Sequence, residues 1–76
     1  DLKFENKTLL EMAKVIERKY NITLRIVDSS LAEEFFTCHF REDLSIDQVL
    51  ELLKKTQKVN YTKDTDTVYL YKNRQH

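Results

Sequence analysis

The chain has 76 residues, 34% of them charged and 41% hydrophobic, and its thirteen Lys and Arg balance thirteen Asp and Glu. That length holds one small core, the neutral balance argues against a nucleic-acid binder held by bulk charge, and no apolar run approaches the ~20 residues of a membrane span. With no Gly, no Pro and one Cys, the chain has no Gly-rich phosphate loop, no Pro-rich ligand motif, no internal disulfide and no zinc site built on cysteines.

A short strand carrying Phe4 is expected near residues 2–5. Thr8-Leu9-Leu10-Glu11 then reads as a capping box, in which the Thr hydroxyl accepts the amide three residues on and Glu reaches back. Leu9, Met12, Ala13, Ile16 and Tyr20 follow at helical spacing, which predicts a helix over 9–20 with one buried stripe. Asn21 is the expected left-handed cap, because Asn is the next-best residue there after Gly. Ile22, Leu24 and Ile26 alternate with Thr23, Arg25 and Val27, which predicts a strand over 22–27. Residues 28–34 read as a connector with one helical turn around Ser30-Leu31-Ala32-Glu33.

Phe36, Cys38 and Phe40 alternate with Phe35, Thr37 and His39 in a strand expected over 36–41. Ser45-Ile46-Asp47-Gln48 is a second capping box, and Ile46, Val49, Leu50 and Leu53 carry a second helical stripe over 46–57. Lys58 or Asn60 is the expected left-handed residue after it, and Glu51–Lys55 is a favourable pair on its solvated face. Strands over 59–63 and 67–71 close the chain, joined by a hairpin at Lys63-Asp64-Thr65-Asp66-Thr67. The polar residues Lys72-Asn73-Arg74-Gln75-His76 read as a flexible tail, leaving 1–71 as a single domain. The abrupt start in structured sequence reads as a domain taken from a longer protein.

The second helical pattern repeats the first position by position at an offset of 37 residues, Thr8 matching Ser45 and Glu11 matching Gln48. The unit is β-α-β, used twice, with one further strand. The expected fold class is therefore α+β, in the order β-α-β-β-α-β-β, and two copies are too few for a solenoid, so they should pack on each other.

No converging nucleophile, base and orienter is visible, so an enzyme is not expected. Cys38 and His39 are neighbours in a strand and point to opposite faces, so they form no dyad. Cys38 shares the face of Phe36 and Phe40 and reads as a small apolar residue, while His39 reads as solvated or partner-facing. Asp64-Thr65-Asp66 lacks the turn Gly and the distal Glu of a calcium loop. No cofactor and no metal are expected. Four Tyr and four Phe exceed what so small a core must hold. Tyr69 and Tyr71 share a strand face opposite Val68 and Leu70, and Phe35 lies opposite Phe36. Such rings suit a protein interface, and they equally suit the covering of a sheet's second side.

The segments Phe4-Glu5-Asn6-Lys7-Thr8-Leu9, Glu17-Arg18-Lys19-Tyr20-Asn21-Ile22, Phe36-Thr37-Cys38-His39-Phe40 and Ser45-Ile46-Asp47-Gln48-Val49-Leu50, with Tyr61 and then Asp64 to Leu70, stand in a familiar order. Together they resemble the C-terminal domain of FecR-family anti-sigma factors, and the resemblance runs from Leu2 to Tyr71. That domain is similar to the short N-terminal domain of secretins and TonB-dependent transporters, with two helices packed between small sheets. Family members commonly carry Gly where Cys38, Lys58 and the 63–67 turn stand here.

The resemblance implies a periplasmic signal-receiving module of a transmembrane anti-sigma factor. Its partner would be the N-terminal signalling domain of an outer-membrane TonB-dependent transporter. The sigma factor would be held by a separate cytoplasmic part of the parent protein. No nucleic acid and no direct membrane insertion by this segment are implied. Two other readings stand beside it: the signalling domain of a TonB-dependent transporter or secretin, and a structural oligomerisation domain. The polar tail is the feature that favours the regulator. The candidate protein-binding residues are Phe35, Thr37 and His39 on the outer face of the third strand and Thr67, Tyr69 and Tyr71 along an exposed last strand, where a partner strand could add.

Overall fold

A computed structural model describes residues 2–73. Among them the order is β1 (Leu2–Thr8), α1 (Leu9–Tyr20), β2 (Thr23–Ile26), α2 (Ser29–Ala32), β3 (Phe35–Phe40), α3 (Ile46–Lys55), β4 (Val59–Asp64) and β5 (Thr67–Lys72). The fold is α+β, with two long helices between two small sheets and a one-turn helix in the expected connector. The sheets are β1–β3, and β2–β5–β4 with β5 in the middle.

Both capping boxes form. The Thr8 and Ser45 hydroxyls accept the amides of Glu11 and Gln48, whose side chains accept the Thr8 and Ser45 amides in return. Each box satisfies orphan donors of a helix start, so helix entry is fixed locally before any tertiary contact. The stripes then do as their spacing predicts. Leu9, Met12, Ala13 and Ile16 are buried on α1, and Val49, Leu50 and Leu53 on α3, where Ile46, the first residue of the stripe, is half-buried against the core. Tyr20, the last residue of the first stripe, is only half-buried, and its hydroxyl donates to the Leu44 carbonyl at 2.8 Å, tying the end of α1 to the segment before α3.

The two halves of the repeat meet through their equivalent strands. β1 pairs antiparallel with β3, and Phe4 packs edge-on against Phe40, ring centroids 6.0 Å apart. The other two equivalent strands, β2 and β4, do not pair with each other. Each lies against β5, β2 parallel to it and β4 antiparallel. One continuous core results, running from Phe4 and Phe40 through both helices to Leu24, Val59, Val68 and Leu70.

Asn21 is left-handed, φ 54°, as expected. After α3 the left-handed residue is Gln57, φ 67°, and not Lys58 or Asn60. The helix ends at Lys55 with Thr56 as its cap, earlier than the expected residue 57, so the reversal falls one residue sooner. Asn6 (φ 53°) lies where the β1–β3 register shifts between Phe4 and Lys7, and this bulge carries β1 on to Thr8, past its expected end at residue 5. Thr65 (φ 57°) opens the two-residue turn between Asp64 and Thr67. Glu51, expected to pair with Lys55, instead accepts the Tyr61 hydroxyl. Lys72 belongs to β5 and Asn73 donates its amide to the Lys58 carbonyl at 3.1 Å. Of the expected flexible tail, Arg74 to His76 lie outside the described residues.

Candidate interaction surfaces

The sheet order decides how the candidate residues are presented. β5 is paired on both sides, so the expectation of an exposed β5 edge is corrected: a partner strand cannot add there. Thr67, Tyr69 and Tyr71 instead form the central row of an outer sheet face, half-buried, while Val68 and Leu70 between them are fully buried against the helices. Register adds their neighbours. Arg25 of β2 lies opposite Tyr69 on one side and Thr62 of β4 on the other; Thr23 and Asp64 flank Thr67, and Asn60 flanks Tyr71. The Thr62 and Tyr71 hydroxyls are 3.2 Å apart, which fixes one ring on this face. An open sheet face with aromatic side chains at its centre and polar ones at its rim has the anatomy of a protein-binding surface.

The sequence singles out neither Arg25 nor Thr62, and Asn60 only as a possible left-handed residue, not as part of a surface. The alternation in their strands predicts that each faces away from the core. Nothing local gives the cross-strand register that sets them beside the tyrosines.

Phe35, Thr37 and His39 all face away from the core on β3, as alternation predicts, with Phe35 55% exposed. The structure does not join them to the tyrosine row, because β3 belongs to the other sheet. Their backbone orientation follows from the pairing. Glu34 accepts the Leu9 amide at 3.0 Å, so Phe36 and Cys38 turn their amides and carbonyls toward β1, and Phe35, Thr37 and His39 turn theirs outward. Lys58 bears on the start of this edge. Its ammonium donates to the Phe35 carbonyl at 3.0 Å and sits 4.9 Å from the centre of the Phe36 ring. This lysine links the end of the α3 unit to the other sheet.

Cys38 is half-buried against the core. Burial pushes its thiol above the ordinary value, and the nearby Lys58 charge opposes this only in part. A thiol held protonated beside phenylalanines is a packing residue and a poor nucleophile. Among the described residues no three His, Cys, Asp or Glu side chains are grouped to hold a metal ion, and no helix is long and apolar enough to cross a membrane.

A family model described as "FecR, C-terminal" matches residues 1–70. No curated protein and no solved structure matches the chain.

Proposed function

The chain belongs to the FecR C-terminal family of regulator domains involved in signalling, and on that premise we propose that it is the periplasmic signal-receiving module of a membrane-anchored anti-sigma factor. The partner in this reading is the N-terminal signalling domain of an outer-membrane TonB-dependent transporter. The module acts by binding and not by catalysis, and the sigma factor is held by a different part of the parent protein. The observation that carries the reading is the uncovered face of the β2–β5–β4 sheet, where Tyr69 and Tyr71 stand between Arg25 and Thr62. Phe35, Thr37 and His39 make a second contact region on the other sheet.

Recognition through a side-chain face fits this geometry better than strand addition at β5. Flat aromatic rings held by a rigid sheet lose little freedom on docking, and such rings dominate the affinity of many interfaces. The test is calorimetric titration of the chain with the signalling domain of the transporter encoded beside it. One-to-one binding is expected, weakened about tenfold or more by Tyr69→Thr with the circular dichroism unchanged. Binding insensitive to that change moves the interface elsewhere; no binding at about millimolar concentration overturns the partner assignment.

A further inference from the structure

The duplicated helices leave matching ridges on the surface. On α1 the exposed residues Leu10, Lys14 and Arg18 stand four apart, with Glu11 and Val15 in the neighbouring row. On α3, at the same offset of 37 residues, stand the exposed residues Asp47, Glu51 and Lys55, with Gln48 and Leu52 beside them. Side chains four apart make one row along a helix, and such rows are the ridges by which helices pack. Each ridge borders a shallow groove. The groove beside α1, about 360 Å³, is lined by Leu2, Phe4 and Val15 together with Lys3 and Lys7. The groove beside α3, about 350 Å³, is lined by Leu44 and Leu52 together with Asp47 and Glu51.

The shape is repeated, but the charge is reversed at the centre, where Lys14 of the first ridge corresponds to Glu51 of the second. An antiparallel contact brings two rows together in reverse order about their central residues. Laying α1 on a second α1 sets Lys14 against Lys14, and laying α3 on a second α3 sets Glu51 against Glu51. Laying α1 on α3 sets Lys14 against Glu51 and Arg18 against Asp47. It also places Leu10 along the aliphatic stem of Lys55, and Val15 beside Leu52. Asp47 and Glu51 already serve within the chain, Asp47 Oδ1 binding the Lys63 ammonium and Glu51 Oε2 accepting the Tyr61 hydroxyl, and each carboxylate keeps a second oxygen.

We infer that α1 of one copy of this chain packs antiparallel on α3 of a second copy, with Lys14 and Arg18 opposite Glu51 and Asp47 and with Val15 and Leu52 between the helices. Like-on-like packing is disfavoured by the equal charges at its centre, so the contact joins unlike faces. Zero net charge removes the long-range repulsion that would oppose self-association. A free α1 face and a free α3 face remain at the two ends, so the assembly grows past a dimer unless it closes into a ring. The contact uses helix faces and leaves the tyrosine face of the β2–β5–β4 sheet open, so this inference does not depend on the transporter partner.

Sedimentation equilibrium of the 76-residue chain tests it without any partner. Self-association is expected with a dissociation constant between about 10 μM and about 1 mM, because one helix pair buries little area, and it should weaken as salt rises. Lys14→Glu and Glu51→Lys each set like charges opposite each other, and each alone should weaken the association about tenfold or more. An equimolar mixture of the two variants restores opposite charges at every contact and should associate as the original chain does. Lys14→Glu changes one exposed side chain and keeps the test sound if losing the Tyr61 bond unfolds Glu51→Lys, which circular dichroism reads. A monomer at about 1 mM, an association indifferent to Lys14→Glu, or two folded variants that stay monomeric when mixed overturns the proposal.

Discussion

In a chain without Gly, left-handed backbone must be carried by residues that have a Cβ. Asn21 and Asn6 do this at modest cost, since a short amide side chain can bond locally. Gln57 and Thr65 have no such advantage. Gln57→Gly is therefore expected to raise stability by about 0.5–1 kcal/mol, read as a higher urea midpoint at unchanged slope. Tyr61 is a second residue with a measurable signature. Its hydroxyl donates to Glu51, and that bond, aided by burial and by the Glu51 and Asp47 charges, pushes its pKa from 10.0 up to about 12. The folded state thus holds this proton more tightly than the unfolded state. The stabilisation is fully present below pH 10 and is lost as the pH rises toward about 12. Ultraviolet titration of the folded chain should show a late-titrating tyrosine that is absent in Tyr61→Phe.

At the scale of the element, the paired capping boxes are the strongest local instruction in the chain. Thr8→Ala and Ser45→Ala should each cost about 1 kcal/mol by thermal or chemical unfolding, and nearly additively, since they start different helices. The Glu11 carboxylate carries a pH signature of the first box. The Thr8 amide and hydroxyl hold its pKa below the ordinary carboxylate value of 4.5, so its contribution is present above that pH and fades as the pH falls through the lowered value. Thr8→Ala should flatten the acid limb of the stability profile. The strands behave differently from the helices. Alternation states which residues of a strand face inward, and Phe36, Phe40, Val68 and Leu70 are buried accordingly. It says nothing of which strand lies beside which.

For the whole molecule, the two β-α-β units share one core, and Leu50 is fully buried in it. Leu50→Ala is expected to cost about 3 kcal/mol, and probes in the β1–β3 sheet and the β2–β5–β4 sheet should report one coincident transition. A sheet that melts separately would contradict a shared core. The fifth strand has no counterpart in the repeat, yet it holds the halves together. β2 and β4 both pair with β5, and the Lys72 amide donates to the Asp28 carboxylate at 2.7 Å. The central strand therefore sets the tyrosine row at the middle of a sheet face and not along an edge.

The sequence by itself determined the helices, their capping boxes and the Asn21 cap, the buried stripes, the inward and outward residues of each strand, and the family, while it misplaced the left-handed residue after α3. All of these depend on residues a few positions apart, where spacing fixes geometry. It also placed Phe35, Thr37 and His39 on one face and Tyr69 and Tyr71 on another. Only the tertiary structure decided that β5 is central, that Arg25 and Thr62 flank Tyr69, and that Lys58 reaches Phe35. Strand order and register arise from pairing between residues distant along the chain. The period of two is the same whichever neighbour a strand takes, so no local pattern distinguishes an edge from a centre.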